Sequence, residues 1–156
     1  MSLSQHAVKI IPFFTSPHLP SLLTFYKTYF PDFTISPHPT DTTDPTFASI
    51  WTGPAAAANI YIIQDEKRAR GSCMIMIDSV TALEELYARL VAQGLLQPSS
   101  DAAAWTGIPV SASTPALVHP QQTRLGPCED KPWGYRQFDL VDLHGNLIVF
   151  FAFLSE

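Results

Sequence analysis

Charged side chains are scarce in this 156-residue sequence, where Lys, Arg, Asp and Glu together make up 15%. So few charges argue against long disordered or coiled-coil segments. A basic face is lacking too, because the formal net charge is −5 and all the excess acid lies after residue 70. We therefore expect no nucleic-acid partner. A cationic small ligand is compatible with this charge, although ordinary solubility explains it more simply.

Cysteine is also rare, and Cys73 and Cys128 are too far apart for a metal knuckle or a disulfide framework. We read both as reduced thiols of an intracellular protein. The sequence has no charged-then-apolar leader, and no apolar run is long enough to span a bilayer. We therefore expect no membrane partner and a cytoplasmic location.

Apolar residues, at 46%, are plentiful enough for one domain with its own core. In the first half, the apolar run 6–14 predicts a buried strand. A helix is predicted from about residue 20 to residue 30, where Pro31 ends it. A short strand and a loop are predicted over 33–45, followed by strands at 46–51 and 59–64.

The second half begins with the same pattern. A strand is predicted at 72–77, and Thr81 and Glu84 have the spacing of a capping box at the start of a helix that ends near Gly94. The chain closes with a β-hairpin, in which the runs 133–141 and 146–153 flank a Gly-containing turn. The second run is almost wholly apolar, which predicts a central strand buried on both faces.

Because strand, helix and strands occur twice, the sequence predicts an internal duplication. Its first module covers residues 6–64, a charged connector 65–71 and the second module 72–154. An inserted loop at about 95–132 contains Trp105, a possible helical turn at 100–105 and a possible strand edge at 116–119. Such a loop is either a lid or a tolerated insertion.

The closing hairpin resembles that of a known family. Residues 132–138 read PWGYRQF and residues 142–148 read DLHGNLI. These motifs are similar to those of the vicinal-oxygen-chelate superfamily, which includes glyoxalases, bleomycin resistance proteins and dioxygenases, and most similar to its bleomycin-resistance branch. The resemblance implies an α+β fold of two tandem βαβββ modules, forming a curved eight-stranded sheet or half-barrel around a cleft. It also implies a homodimer with clefts formed across the subunit interface.

Metal-dependent members of that superfamily hold a divalent ion with His, Gln and Glu side chains. The resemblance maps their ligand positions to Ile11, Ser72 and Val149 in this chain. Ile and Val cannot bind a metal ion, and Ser is a poor ligand for ions that prefer imidazole and carboxylate. We therefore expect no bound metal and no other cofactor.

Other catalytic chemistry has little support. Four histidines are expected to be solvated, namely His6, His18, His38 and His144, and His119 lies on the insertion. No nucleophile elbow or Gly-rich phosphate loop is present. Asp139 and Asp142 should face opposite sides, each in a solvated or turn-capping role. The weak acid–base candidates are Asp139, His119 and Tyr135.

Strand parity predicts which side chains line the cleft. With the three mapped positions inward, the inward side chains also include Phe13, Met74, Met76, Leu147 and Phe151. Four further aromatic residues lie on or beside the sheet walls, namely Trp51, Tyr61, Trp133 and Tyr135. Such a groove suits a flat, partly apolar organic ligand, although aromatic residues in a two-sheet protein are more often core. Arg136 is expected to anchor the hairpin.

Three functions stay open on the sequence alone. The first is metal-free binding, or sequestration, of a small, partly aromatic organic molecule, as in bleomycin resistance to an antibiotic. The second is a metal-independent lyase, isomerase or cyclase that uses one of the acid–base candidates. The third is a metal-dependent enzyme of glyoxalase or dioxygenase type. The missing ligands favour binding over catalysis.

Overall fold

The computed structural model describes residues 9–95 and 123–154. The first half of the chain forms a four-stranded mixed sheet with the strand order β1-β4-β3-β2, and one helix. In chain order its elements are β1 (Phe13–Ser16), α1 (Leu19–Tyr29), β2 (Thr34–His38), β3 (Phe47–Thr52) and β4 (Ala58–Gln64). The strands β1 and β4 run parallel, and the other pairs are antiparallel.

The second half repeats this plan with a five-stranded sheet. Its elements are β5 (Ser72–Met76), α2 (Val80–Ala92), β6 (Arg124–Leu125), β7 (Glu129–Lys131), β8 (Tyr135–Val141) and β9 (Leu147–Phe153). The strand order is β5-β9-β8-β6, with β7 also paired to β8. The parallel pair is β5 and β9, which corresponds to β1 and β4 of the first sheet. The predicted fold class is confirmed: two helices and two mixed sheets, with no closed barrel among the described residues, are consistent with the half-barrel.

The edge of the second sheet explains why five strands are found where four were expected. The short strands β6 and β7 pair with opposite ends of β8. Between them, the Gly126 N–H donates to the Asp139 carbonyl oxygen at 2.7 Å. The segment containing β6 and β7 therefore runs along one edge of β8, with an irregular stretch that divides it into two short strands. Both strands lie in the segment 95–132, which was predicted to be an inserted loop, and that part of the prediction was wrong.

Residues 96–122 lie outside the described part of the chain. The predicted helical turn at 100–105, the strand edge at 116–119, the lid, Trp105 and His119 all fall there. His6 lies outside it as well.

Local sequence signals set the helix ends. In α1 the His18 side chain accepts the Ser21 N–H, and Pro20 lies in the first turn. The capping box predicted for α2 was wrong by two residues, because the cap is Ser79, whose Oγ accepts the Ala82 N–H at 3.2 Å. Gly94 follows α2 at a φ of 87°, as predicted for the end of a helix.

The first strand starts later than predicted. Residues 9–12 are not part of a strand, and β1 covers Phe13–Ser16. Pro12 has no N–H to donate to a ladder, whereas the Ser16 carbonyl oxygen accepts the Asp65 N–H at 2.9 Å. Hydrogen bonds from distant residues therefore place Thr15 and Ser16 within the strand, although these polar residues were expected to end it.

Both sheets bury one face in a shared core. The Phe30 ring of the first half stacks on Phe150 of the second at a centroid distance of 5.8 Å, and Phe150 stacks on Phe138 at 5.1 Å. The strand β9 is central, as predicted. It is not buried on both faces, however, because Ile148, Phe150 and Ala152 are buried while Phe153 is 58% exposed. We call the side of each sheet away from this core its open face.

A buried polar network lies in the turn between β8 and β9. The Asp142 carboxylate accepts hydrogen bonds from the backbone N–H groups of His144 and Asn146, from the Asn146 side chain and from the Tyr26 hydroxyl, at 2.8 to 2.9 Å. Burial raises the pKa of Asp142, and the hydrogen bonds oppose that shift. Asp142 therefore caps the turn, as expected, but it is not solvated.

The Asn146 side chain connects this turn to the first sheet. Its Oδ1 accepts the N–H groups of Thr15 and Gly71 at 3.1 and 3.0 Å, and its Nδ2 donates to the Thr15 carbonyl oxygen at 3.0 Å. This is the pattern of a neighbouring strand, so Asn146 satisfies the edge of β1 that β4 does not reach.

At Gly71 the two halves of the chain approach closely. A Cβ at this position would lie 2.1 Å from the carbonyl oxygen of Phe13 and 2.7 Å from the Phe14 ring. Backbone atoms cannot retreat as a flexible side chain can, so only glycine fits here.

No described helix is both long and apolar enough to cross a membrane.

Replacing Gly71 by Ala should lower the free energy of unfolding by about 2 to 3 kcal/mol, because the added methyl group collides with the β1 backbone. Urea denaturation measures this directly. The matched control is Ser72→Ala at the exposed neighbouring position, which should change stability by only about 0.5 kcal/mol. Equal stability of the two variants would contradict the close approach of β1 and Gly71.

Candidate ligand-binding face

The open face of the second sheet is mainly apolar. Successive side chains of a strand point to opposite sides, so every second residue of β5, β9 and β8 lies on this face. They are Ser72, Met74, Met76, Leu147, Val149, Phe151, Phe153, Tyr135, Gln137, Asp139 and Val141. Met74 and Met76 are 55% and 59% exposed, which is unusual for side chains of this size and polarity.

Three aromatic rings form a cluster at one end of this face. The Tyr135 ring lies 4.9 Å from Phe151 and 5.1 Å from Phe153, measured between centroids. Phe151 and Phe153 are 5.8 Å apart with their planes nearly perpendicular. The edges and faces of such rings offer stacking surfaces to a planar molecule. Phe153 was not among the predicted site residues, although strand parity from Phe151 would have found it.

The open face of the first sheet carries a second aromatic cluster. Phe13, which is 48% exposed, lies opposite Tyr61 in the β1–β4 register, with ring centroids 5.7 Å apart. The Phe47 ring is 5.1 Å from Tyr61, and the Arg68 guanidinium lies 5.9 Å above the Phe13 ring. Trp51 lies on the same side of β3 as Phe47 and is half-buried. Phe47 was not among the predicted site residues, although it lies two residues before Ser49 and four before Trp51 and therefore faces the same side of β3 as both.

Trp133 lies apart from these two clusters. It is in the turn between β7 and β8 rather than in a strand, and it is 59% exposed.

The three mapped metal positions are occupied by residues that do not suit a metal ion. Ile11 precedes β1, Ser72 begins β5 and Val149 lies opposite Met74 in the β5–β9 register. The chemistry of this donor set does not fit a divalent cation. Among the described residues, no group of three or more His, Cys, Asp or Glu side chains could hold a metal ion.

Asp139 is an acid–base candidate in a partly buried environment. It lies in the middle of β8 on the open face, opposite Val149. Burial raises the pKa of its carboxyl group, while Lys131 and the hydrogen bond from the Gln137 amide at 3.3 Å oppose this shift. Tyr135 is on the same face, in the aromatic cluster.

The histidines divide into two groups. His18 and His38 are exposed, as predicted. His144 was predicted to be solvated, and this was wrong: it is buried, and its Nδ1 lies 2.9 Å from the Ser16 Oγ. The turn that contains it packs against the first sheet, so a turn position did not mean exposure.

Arg136 anchors the hairpin, as expected. Its Nε and Nη2 donate to the two carboxylate oxygens of Asp130 at 2.6 and 3.0 Å, and its Nη1 donates to Glu84 of α2. These contacts lie on the side of β8 away from the open face. The bidentate pair also lowers the pKa of the Asp130 carboxyl.

The fold described here is shared with solved structures of bleomycin resistance and glyoxalase-related proteins, in agreement with the fold that the resemblance of the closing hairpin implied. The chain is similar to the bleomycin resistance determinant encoded on the transposon Tn5, with a TM-score of 0.61, 18% identity, and coverage of 96% of this chain and 100% of that one. It is also similar to the bleomycin-binding protein of bleomycin-producing Streptomyces verticillus, complexed with copper(II)-bleomycin. Here the TM-score is 0.57 and the identity 18%, with coverage of 97% of this chain and 98% of that one.

A third similar structure is a glyoxalase-related enzyme from Clostridium phytofermentans, with a TM-score of 0.59, 13% identity, and coverage of 96% of this chain and 99% of that one. No family model and no curated protein matches the sequence. Identities this low support the fold alone, because one fold serves many functions.

The burial of His144 predicts a pH effect on stability. Burial lowers its pKa to about 4, and the charge of Arg70 acts in the same direction. The unfolded chain has the ordinary value of about 6.5 and binds the proton more readily, so stability is lost as the pH falls from about 6.5 toward 4. Between about pH 7 and pH 5, the wild type should lose about 2 kcal/mol more than the His144→Gln variant, which cannot titrate. Equal losses in urea denaturation would show that His144 is not held neutral.

Proposed function

We propose that this protein binds a small, partly aromatic organic molecule without a metal ion and without transforming it. The observation that carries this proposal is the exposure of large apolar side chains on the open faces. Phe13, Met74, Met76 and Phe153 are each about half exposed, at 48% to 59%. Aromatic and methionine side chains together pack adaptably against a planar ligand.

The energy available from such a surface is considerable. Full burial of one large apolar side chain is worth about 1.5 to 3 kcal/mol. Several such side chains, covered in part by a ligand, would offset the loss of ligand freedom on binding. Similar folds that bind bleomycin support an organic ligand for this one.

A metal-independent enzyme is the alternative, and one observation favours it. The Asp139 carboxyl lies on the open face with its pKa raised by burial, and a perturbed pKa of this kind is common among groups that transfer protons in catalysis. A metal-dependent enzyme has less support, because Ile11, Ser72 and Val149 provide one weak donor between them.

We also propose a homodimer. The two sheets already share one core, so the described residues leave both open faces uncovered, and a second copy would cover part of them. The free thiols of Cys73 and Cys128 support the proposed cytoplasmic location. Sequestration of a toxic compound there would protect the cell, which is the proposed link to antibiotic resistance.

Thermal unfolding with added ligands tests the binding proposal. Metal-free bleomycin and a panel of aromatic metabolites are compared with Zn²⁺, Mn²⁺ and Ni²⁺ alone. A compound at a hundredfold excess over its dissociation constant should stabilise the folded chain by about 2.7 kcal/mol and raise its Tm. The Met76→Ala variant should respond less, whereas Val91→Ala, an exposed apolar change on α2, should respond like the wild type. A response to a metal ion but to no organic compound would overturn the proposal.

Sedimentation velocity at micromolar concentration tests the dimer. The expected mass is twice that of the chain, since the exposed apolar side chains favour association. A single species with the mass of one chain would refute this part of the proposal.

A further inference from the structure

The Asp139 carboxylate has an unusual position. It is half-buried in the middle of the open face of the second sheet, between Gln137 and Val141 along β8 and opposite Val149 on β9. The side chains that β5 and β9 place on this face carry no charge. A carboxylate surrounded by apolar groups loses part of its hydration, and a cation that replaces this hydration is favoured.

No cation forms an ion pair with Asp139 among the described residues. It takes part in none of the ion pairs there, and the only hydrogen bond recorded for its side chain is the one from Gln137. The nearest basic group, Lys131, is paired with Glu129, and these two act on the charge of Asp139 in opposite directions. Arg124, on β6, is exposed and lies opposite Val141.

The aromatic cluster lies at a suitable distance from this charge. Phe151 is opposite Gln137, which is two residues from Asp139 along β8. Phe151 and Asp139 are therefore offset by about 7 Å along the strand direction. Tyr135 and Met76 flank Phe151 on the same face. A planar ring on Phe151 and an ammonium group on a chain of two or three atoms would span this separation.

From this arrangement we infer that the ligand of the open face is a small organic cation, with its protonated amine on Asp139 and its planar ring on Phe151 and Tyr135. This inference rests on the proposed function of the same face and names the chemical class of the ligand. The acidic excess of residues 71–156 would favour the approach of such a cation.

Three indole compounds that differ in charge test this inference. Tryptamine carries an ammonium group, tryptophol is neutral and indole-3-acetate is an anion, with the same ring throughout. Nuclear magnetic resonance titrations at about pH 7 should show tryptamine binding about tenfold more tightly than tryptophol, and indole-3-acetate most weakly. In Asp139→Asn the preference for tryptamine should fall to about twofold or less. The control Glu85→Gln removes one exposed charge on α2 and should keep the preference.

A second measurement needs no variant. In the wild type, the preference for tryptamine should decline as acid protonates Asp139, while the affinity for tryptophol stays constant. The charged groups that act on Asp139 are Lys131 and Glu129. Arg124 lies opposite Val141, and Tyr135 lies four residues away along β8, so Glu129 is the other carboxyl group to control for. A Glu129→Gln variant that keeps the decline assigns it to Asp139, and loss of the decline in that variant overturns the assignment.

Failure of this inference can be distinguished from failure of the proposed function. Equal binding of tryptamine and tryptophol, with both weakened by Met76→Ala, would overturn the cation inference and leave the binding proposal intact. The absence of binding by all three compounds would also overturn the inference, and the bleomycin thermal shift would then decide whether the proposed function stands.

Discussion

The rest of the structure depends on the carboxamide of Asn146. It bonds the N–H and the carbonyl of Thr15 as a strand would, accepts the Gly71 N–H and donates to Asp142. Thr15 and Asp142 are buried and Gly71 is half-buried, so the loss of this side chain would leave several backbone groups unsatisfied at once. The network thus fixes the hairpin of the second half against the first strand, and the close contact at Gly71 admits only one arrangement.

This arrangement determines which surface remains for function. Because both sheets place one face in the same core, the opposite faces have no layer of described residues over them. Exposed methionine and phenylalanine side chains are costly on a protein surface, and a surface of this kind usually serves recognition. Tyr26, Asp142 and Asn146 of the network are buried, so they stabilise the fold. Among the described residues, Asp139 and Gln137 bring hydrogen-bonding groups to the middle of the open face of the second sheet.

Features with a local cause could be predicted from the sequence. The helices follow from apolar spacing, and the hairpin follows from two apolar runs around a Gly-containing turn. Strand parity assigned Met74, Met76 and Phe151 to the same side of the sheet. Features with a distant cause could not be predicted. The end of β1 depends on bonds from Asp65 and Asn146. The burial of His144 depends on Ser16, and β6 and β7 are defined by their pairing with β8. Residues 96–122, which lie between α2 and β6 in the sequence, are outside the described part of the chain.

The most direct test of the binding face uses its methionines. The sequence contains three, of which Met74 and Met76 lie on the open face of the second sheet and Met1 lies at the terminus. With ¹³C-labelled methyl groups, each methionine gives one signal, recorded with a chelator present while metal-free bleomycin or tryptamine is added. The account predicts that the Met74 and Met76 signals shift and saturate together. Saturable binding that leaves Met74 and Met76 unchanged would contradict it.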